Sequence, residues 1–297
     1  MSSCANCGKG EEDSIKLKTC TACKAVKYCN AACQKAHRPQ HKNECRKRAV
    51  ELQDEDLFKQ TQEEDCPICC IRLPASDSGK RYQVCCGKVI CSGCMFGVQV
   101  RDDVDTKCPF CRVPTPYDVE TEIFVERFYK RMEFGDTEAM YHIGYYHMYG
   151  DLGFPLNPEK AFELFIRAAD LGHASANYQL GKAYFLGQGP VERDVMKAIH
   201  YKKLAAMGGD LVARHSLGLI EAGVGNMDKA LKHYMIALKS GYKTSLDEVR
   251  SLYTKGRATK KDYENALRSW QAYLDEIRSD DRDEAAKCSS GYQYIDK

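Results

Sequence analysis

The second half of the chain carries a hydrophobic pattern that repeats with a period of 37 residues. Tyr, Leu and Ala recur there every three or four positions, as in amphipathic helices, and glycines or Asn-Pro and Gly-Pro pairs separate the runs. Each repeat unit is therefore predicted to contain two helices, such as those expected over 175–186 and 194–207. The positions that align at this step include Asp136, His173 and Asp210, Gly144, Gly181 and Gly218, Gly172 and Gly209, and Lys160-Ala161 and Lys197-Ala198.

A third unit follows that is five residues shorter. Lys229-Ala230 lies 32 positions after Lys197-Ala198, which places the deletion in the inter-helix loop at 223–226. Residues 246–277 resemble a degenerate fourth unit that caps the series. One two-helix unit cannot bury its apolar face alone, so at least three units are expected to stack into a solenoid.

The period and pattern resemble Sel-one-like repeats, relatives of the tetratricopeptide repeat. The resemblance implies an all-α helical-repeat solenoid over 133–279, after a linker helix at 116–132 and before a polar tail at 280–297. Such solenoids usually bind proteins on a concave surface. The aromatic residues of the first unit could line that surface or the interhelical core, and we favour the core. The histidines of the same unit are not expected to bind metal, because no cysteine or histidine pattern accompanies them. The aromatic residues are Tyr141, Tyr145, Tyr146, Tyr149 and Phe154, and the histidines are His142, His147 and His173.

Charge divides the more polar first part of the chain into segments. The 297 residues include 44 basic and 42 acidic ones, and this net charge of +2 argues against a general attraction to nucleic acid or membranes. Residues 1–48 carry eleven Lys or Arg against four acids, whereas 49–65 carry seven acids against one lysine. We therefore expect a basic module at 1–48, tethered by an acidic linker at 49–65.

Sixteen of the 17 cysteines precede residue 112. No apolar run approaches the roughly 20 residues of a membrane span, and the first residues lack the apolar core of a signal peptide. We therefore expect a cytoplasmic or nuclear protein with no membrane partner. Because thiols stay reduced in those compartments, this many cysteines predict metal sites rather than disulfides.

The first cysteine-rich segment contains four pairs of metal-ligand residues. Eight ligands suffice for two tetrahedral zinc sites, since each short spacing lets one knuckle or helical turn present two donors. Such a short, polar segment has little apolar surface to bury, so zinc must supply much of its folding free energy. The candidate ligands are Cys4, Cys7, Cys20, Cys23, Cys29, Cys33, His41 and Cys45.

This spacing, together with Tyr28-Cys29, Cys33-Gln34 and the segment 37–41, resembles the MYND-type zinc finger. The resemblance implies interleaved ligands, in which the first and third pairs share one ion and the second and fourth pairs share the other. It also implies a docking module for short proline-containing peptides. Family members often carry a Trp after the histidine equivalent to His37, whereas this chain has Arg38, which leaves the peptide preference open.

A second series of four cysteine pairs lies within 66–115, after the acidic linker. Its first and last pairs have the spacing of a RING finger, and the resemblance implies a second cross-brace. In that arrangement the first and third pairs bind one zinc ion and the second and fourth pairs bind another, so that four zinc ions are expected per chain. The candidate ligands are Cys66, Cys69, Cys85, Cys86, Cys91, Cys94, Cys108 and Cys111.

Lys88 stands where many RING fingers have a zinc-binding histidine. A lysine is a poor substitute because its ammonium group has no free lone pair. Adjacent Cys85 and Cys86 then both bind the second ion, as in RING fingers that use only cysteine, and the competing arrangement is a three-ligand or vacant site. Cys70 belongs to neither ligand set and is expected to be a small buried hydrophobe, as most free cysteines are.

A RING finger holds a ubiquitin-conjugating enzyme so that its thioester faces a substrate lysine, which supplies orientation and requires no catalytic residue. The resemblance implies that the cation Arg112 braces the tail of bound ubiquitin. The tryptophan that often lines the partner groove is missing, because the single tryptophan is Trp270, and Met95 and Phe96 are alternative apolar contacts. The protein-binding positions implied by the resemblance are Ile68, Pro109 and Arg112.

The chain contains no Gly-rich phosphate loop, no Gly-x-Ser-x-Gly elbow and no His-Glu-x-x-His motif. The favoured hypothesis is a RING-type ubiquitin ligase whose MYND-type finger and repeats recruit protein partners or substrates. The alternative, favoured by Lys88 and the missing groove tryptophan, is a non-enzymatic scaffold in which every module binds proteins. Nucleic-acid binding ranks below both, since DNA-reading zinc fingers present a different ligand order.

Overall fold

The computed structural model describes residues 3–11, 16–60, 63–98, 107–114, 121–288 and 290–295. The chain forms two compact units, Met1–Lys59 and Gln60–Lys297. The first unit contains the first cysteine-rich segment. The second unit contains the second cysteine-rich segment, the helical repeats and the carboxy-terminal segment.

The first unit is a small hairpin followed by one long helix. Strand β1 (Lys18–Thr19) pairs antiparallel with β2 (Lys27–Tyr28), and helix α1 spans Ala31–Leu57. Asn30 caps this helix, because its side-chain oxygen accepts a hydrogen bond from the backbone N–H of Cys33 at 2.8 Å. The cap fixes the start of the helix next to two candidate ligands.

Helix α1 continues beyond the expected start of the acidic linker at residue 49. Residues 49–57 contain Glu, Leu and Gln, which favour helices. Arg48 also reaches along the helix to Glu51 and Glu55, at 3.0 and 2.8 Å. The first acidic residues of the expected linker therefore belong to the helix.

The second cysteine-rich segment, which we call the RING-like module, has one hairpin and one short helix. A 3-10 turn at Asp77–Gly79 leads into β3 (Lys80–Gln83), which pairs antiparallel with β4 (Lys88–Cys91). Helix α2 (Ser92–Phe96) follows directly. Cysteines therefore lie in the hairpin turn, at the end of β4 and on α2.

The repeat region consists of consecutive helices packed as antiparallel neighbours, which confirms the predicted solenoid of helix pairs. The two helices expected over 175–186 and 194–207 begin and end within one residue of those bounds. The helices are α3 (Thr121–Glu133), α4 (Thr137–Tyr149), α5 (Pro158–Asp170), α6 (Ala174–Leu186), α7 (Val195–Met207), α8 (Leu211–Gly223), α9 (Met227–Lys239), α10 (Thr244–Thr254), α11 (Lys260–Ile277) and α12 (Asp280–Cys288).

The residues that align at the 37-residue step have the same structural role in each repeat unit. Asp136, His173 and Asp210 are the N-caps of α4, α6 and α8, and each side chain accepts a backbone N–H from the first turn. The glycines allow close helix contact: a Cβ at Gly144 would lie 2.8 Å from a ring carbon of Phe165. The period in the sequence thus reflects repeated caps and repeated helix crossings.

The RING-like module packs against both ends of the repeat array. At the first end, Val84 belongs to the hydrophobic core formed by Phe128 and Ile143. At the other end, the backbone N–H of Ala75 donates to the Tyr273 hydroxyl at 2.8 Å. The module therefore shares its core with the repeats and belongs to the same compact unit.

The segment expected to be a polar tail contains α12 and further contacts with the RING-like module. Although most residues of α12 are charged, Arg282 and Ala285 are fully buried, and Tyr294 beyond the helix is 3% exposed. The ring of Tyr292 packs edge-on against that of Phe96, with centroids 5.7 Å apart. These few buried side chains hold the segment against the RING-like module.

Candidate metal centres

The first unit brings its eight predicted ligand residues into two groups. Within each group the potential ligand atoms all lie within 4.8 Å of one another. The sulfur atoms of Cys7 and Cys29 are 3.6 Å apart, and the sulfur of Cys23 is 3.2 Å from Nε2 of His41. The Cys4 cluster comprises Cys4, Cys7, Cys29 and Cys33, and the Cys20 cluster comprises Cys20, Cys23, His41 and Cys45.

Two tight turns and helix α1 position these side chains. The first turn is closed by the N–H of Gly8, which donates to the Cys4 carbonyl at 2.9 Å, and the second by the N–H of Lys24, which donates to the Cys20 carbonyl at 3.0 Å. Both turn residues have positive φ, +73° at Gly8 and +51° at Lys24. Each turn presents two cysteines to one side, and α1 supplies three of the other four ligands.

Tyr28 and His37 support His41 from outside the ligand set. The Tyr28 hydroxyl lies 3.0 Å from Nδ1 of His37, and the rings of His37 and His41 stack with centroids 5.6 Å apart. Tyr28 is buried, and burial together with nearby cysteine thiolates raises its pKa. These contacts fix the imidazole ring of His41 against the cluster, as outer-sphere residues do in metal sites.

The RING-like module also gathers its eight predicted ligand residues into two groups, each with ligand atoms within 4.8 Å of one another. Sulfur–sulfur distances are 3.8 Å between Cys69 and Cys91 and 3.7 Å between Cys86 and Cys108. The grouping follows the interleaved order implied by the resemblance. The Cys66 cluster comprises Cys66, Cys69, Cys91 and Cys94, and the Cys85 cluster comprises Cys85, Cys86, Cys108 and Cys111.

Lys88 lies outside the second metal cluster of the module, because it is exposed on β4 while Cys85 and Cys86 both belong to the Cys85 cluster. The hairpin turn makes this possible: the N–H groups of Cys86 and Gly87 both donate to the Gln83 carbonyl, at 3.1 and 2.7 Å. Adjacent cysteines thereby turn towards the same point. The four cysteines of this cluster therefore lie close enough together to hold one metal ion.

The donor atoms fit zinc in spacing and in chemistry. A tetrahedral site with Zn–S bonds of about 2.3 Å has sulfur atoms about 3.8 Å apart, close to the 3.5 to 3.8 Å found between cysteine pairs here. Hydrogen bonds from the backbone of Cys7 and Cys29 lower the pKa of Cys4 to about 6. In contrast, a side-chain hydrogen bond with Cys33, burial and a side-chain hydrogen bond with Cys7 raise the pKa of Cys29 to about 12. Without a metal ion these two thiols therefore ionise at very different pH, whereas a divalent cation stabilises the thiolate form of both.

The protein-binding positions implied by the RING resemblance lie at the surface to different degrees. Ile68 is 42% exposed, Arg112 is exposed, and Pro109 is partly buried. In contrast, Met95 and Phe96 are buried, at 3% and 4% exposure. The suggestion that these two side chains form apolar contacts with a partner is therefore wrong, because the chain's own hairpin and carboxy-terminal segment cover them.

The structure also shows where other residues considered in the sequence analysis lie. His147 is buried, with one ring nitrogen 3.1 Å from the Tyr129 hydroxyl and the other 2.8 Å from the Pro155 carbonyl oxygen. Phe154 is buried in the core, whereas Tyr149 is half exposed. Cys70 is exposed at φ +55°, which corrects the expectation of a buried hydrophobe and reflects its place at the end of a ligand turn.

Arg282 lies near the clusters, although no sequence pattern pointed to it. It is fully buried, and one of its guanidinium nitrogens lies 3.8 Å from the sulfur of Cys69. Charged side chains are rarely buried unless they are paired, but a single arginine among charged neighbours carries no signal for burial. Only the folded arrangement of α12 against the RING-like module reveals it.

Comparison with protein families supports two of the three predicted modules. The MYND finger family matches residues 4–45, and the Sel1 repeat family matches residues 137–173 and 174–210. The RING-like module rests on its cysteine pattern and geometry. In the part of the chain that the structure describes, no helix combines the length and apolar character needed to cross a bilayer.

Two curated relatives come from Schizosaccharomyces pombe. Chitin synthase regulatory factor 2 is 36% identical over 87 residues, which are 29% of this chain and 17% of that protein. Chitin synthase regulatory factor 3 is 42% identical over 71 residues, which are 24% of this chain and 8% of that protein. The similarity thus spans less than a fifth of either relative.

Similar solved structures include a Sel1 repeat protein from Oxalobacter formigenes, with 31% identity and a TM-score of 0.44 over 56% of this chain and 64% of that chain. Another is c5321, a protective antigen of uropathogenic Escherichia coli, with 22% identity and a TM-score of 0.43 over 58% of this chain and 37% of that chain. The family matches confirm two of the modules predicted from the sequence. The chain therefore carries a MYND-type zinc finger at its amino-terminal end and Sel1 repeats in its helical region.

Proposed function

We propose that the chain is a zinc-dependent adaptor that binds protein partners through its MYND finger and its Sel1 repeats, in the cytoplasm or nucleus. The observation that carries this proposal is the convergence of all eight MYND ligand residues into two four-ligand clusters. A MYND finger with both clusters complete has the framework of a peptide-docking module. The adaptor role also agrees with the names of the two yeast relatives, which are regulatory factors.

The charge of the finger supports an acidic, proline-containing peptide as its ligand. Residues 1–48 carry eleven basic and four acidic residues. Arg38 is exposed at the position where many MYND fingers have a tryptophan, so a cation replaces an aromatic ring at the expected groove. An acidic residue next to the proline would find a partner there.

Peptide binding by the full chain tests this proposal. We expect fluorescence anisotropy to detect binding of a proline-containing peptide with flanking glutamates, and weaker binding when lysines replace the glutamates. Cys7→Ser, which removes an exposed ligand of the Cys4 cluster, should abolish binding. Cys111→Ser, which removes an exposed ligand of the Cys85 cluster, is the matched control and should retain it. Equal binding by both variants, or binding that survives zinc removal, would contradict the proposal.

A second candidate function is that of a RING-type ubiquitin ligase. The exposure of Ile68 and Arg112 supports it, since these residues adjoin ligands of the Cys66 and Cys85 clusters. A ubiquitin-conjugating enzyme held there would be positioned without any catalytic group from this chain. The burial of Met95 and Phe96 instead favours the non-enzymatic scaffold.

Autoubiquitination assays with a panel of conjugating enzymes separate these two functions. A ligase should form ubiquitin ladders that are lost in Ile68→Ala and reduced in Arg112→Ala. Arg268→Ala, an exposed substitution on α11, serves as the control. Absence of ladders with every enzyme, in a chain that still binds the MYND peptide, would leave the scaffold role and exclude the ligase.

A further inference from the structure

Arg282 is a buried cation that lies beside the Cys66 cluster. Its exposed fraction is 0%, although α12 consists mostly of charged residues. The residue also lies very close to α2, because a Cβ at Gly93 would be 2.8 Å from the Arg282 backbone nitrogen. Helix α12 thus inserts one charged side chain between α2 and the turn that carries Cys66 and Cys69.

The guanidinium group contacts three backbone carbonyl oxygens and two cysteine ligands of the Cys66 cluster, Cys69 and Cys91. Nη1 donates to the carbonyl oxygens of Arg72 at 2.8 Å and Ile277 at 2.6 Å. Nη2 donates to the carbonyl oxygen of Ile71 at 3.2 Å and lies 3.8 Å from the sulfur of Cys69. None of these partners is a carboxylate, and Nε has no hydrogen-bond partner among the residues that the structure describes. The contacts hold the ligand turn but do not neutralise the arginine.

A buried guanidinium without a counter-charge is strongly unfavourable in a folded protein. The nearby cysteines can supply that charge, because four thiolates around one divalent zinc ion carry a net charge of about −2. The anionic metal centre also requires a nearby positive charge, because it is itself partly buried: Cys66 and Cys91 are 0% and 1% exposed. The arginine and the metal centre therefore stabilise each other.

We propose that Arg282 is the outer-sphere counter-charge of a zinc ion in the Cys66 cluster and that residues 280–288 and 290–295 are an integral part of the RING-like module. The proposal rests on zinc occupancy of this cluster and is independent of peptide binding or ligase activity. Hydrogen bonds from the strand side hold the segment in place. Nη2 of Arg81 donates to the Gly291 carbonyl at 2.6 Å, and the Ser78 hydroxyl donates to the Gln293 carbonyl.

Zinc release from the full chain tests this assignment. We expect Arg282→Met to speed the transfer of one zinc ion per chain to a colorimetric chelator by roughly 10- to 100-fold, the range for loss of an outer-sphere partner. Arg282→Lys keeps the charge and should lie between Arg282→Met and the unsubstituted chain. Arg268→Met is the matched control, because Arg268 is exposed on α11 and contacts Asn265, and its release rates should not change.

A spectroscopic measurement separates this role from a general loss of fold. In the cobalt(II)-loaded chain, Arg282→Met should shift sulfur-to-cobalt charge-transfer bands to longer wavelength, because thiolates without a positive neighbour hold their electrons less tightly. Loss of one cobalt equivalent with the others kept would also support the assignment. Unchanged release and spectrum in Arg282→Met, or loss of more than one metal equivalent, would overturn it. If the chain does not bind the peptide but Arg282→Met still changes zinc release and the cobalt spectrum, the role of Arg282 is supported and only the proposed peptide binding fails.

Discussion

At the residue scale, Gly87 shows how one position serves both a metal cluster and the repeat array. Gly87 directly follows Cys85 and Cys86 in the hairpin turn, and its φ is +72°. A Cβ there would lie 2.8 Å from Cζ of Arg131, on α3. The glycine therefore permits a left-handed backbone and leaves room for the neighbouring arginine.

Replacement of Gly87 by alanine should lower the free energy of unfolding of the zinc-loaded chain by more than the backbone cost alone. Gly256→Ala is the matched control, since its φ is +66° and a Cβ added there would meet nothing within 4 Å. The control should cost about 1 to 2 kcal/mol, and Gly87→Ala should exceed it because Arg131 must move. Urea denaturation measures both values, and equal losses would show that the Arg131 contact is not important.

At the element scale, Asp136 joins the first repeat to the RING-like module. Its carboxylate caps α4 and accepts a hydrogen bond from the Tyr82 hydroxyl at 2.9 Å and from Nε of Arg131 at 2.9 Å. Asp194 caps α7 in a similar way, but its side chain is 39% exposed, against 13% for Asp136. The two caps therefore differ chiefly in what surrounds them.

Asparagine at these two caps should separate charge from capping, because asparagine is also a good N-cap. We expect Asp136→Asn to lower the free energy of unfolding by about 1.5 to 3 kcal/mol, the value of a hydrogen bond to a charged group. Asp194→Asn should change it by less than about 0.5 kcal/mol. Chemical denaturation of both variants provides the measurement. Equal effects would mean that Asp136 does not connect the two parts of the unit.

The pH dependence of the first repeat should depend on Glu138. Burial acts to raise the pKa of this carboxyl group, but hydrogen bonds with His142 and His173, the latter at 2.9 Å, outweigh it and the pKa falls below its ordinary value. A lowered pKa in the folded state stabilises the protein at a pH above the unfolded pKa of about 4.3, and this contribution disappears as the pH falls further.

Thermal unfolding across a pH series should therefore show Glu138→Gln to be less stable than the unsubstituted chain at neutral pH, with the gap closing below about pH 4. Glu163→Gln is the control, because Glu163 is exposed on α5 and should give no such pH-dependent gap. A gap that widens on acidification would have the wrong sign and would refute the role of Glu138.

The sequence predicted elements well where a pattern repeats and poorly where one contact decides. Asp136, His173 and Asp210 align because each caps a helix, so the period located the repeats. Ligand spacing similarly predicted the ligand residues, and the resemblance to MYND and RING fingers implied how they group into clusters. In contrast, Arg282 is buried beside Cys69, which lies 213 positions away in the sequence. No local pattern encodes such a contact, and the polar composition of residues 280–297 predicted only a polar tail.

At the scale of the whole molecule, the two cysteine-rich segments differ in how they are supported. The first belongs to the unit Met1–Lys59, whose buried core contains mainly its ligand cysteines, Leu17 and Tyr28. The RING-like module shares a core with the repeat helices through Val84. Zinc should therefore matter most for the fold of the first unit.

Removal of zinc should unfold the first unit while the repeat helices remain folded. In limited proteolysis of the reduced, chelator-treated chain, we expect rapid cleavage within 16–60 and slow cleavage within 137–239. Zinc added back to the intact chain should restore protection of the first unit. Equal protection of the first unit with and without chelator would contradict its dependence on metal.

The most direct test of the central claim is the number of zinc ions bound per reduced chain, measured by elemental analysis. The four clusters predict four ions, and Lys88→Ala should also bind four because Lys88 is exposed and outside the Cys85 cluster. Cys85→Ser should lower the number to three. A metal-free chain whose cysteine-rich segments remain folded in the presence of a strong chelator would contradict the account.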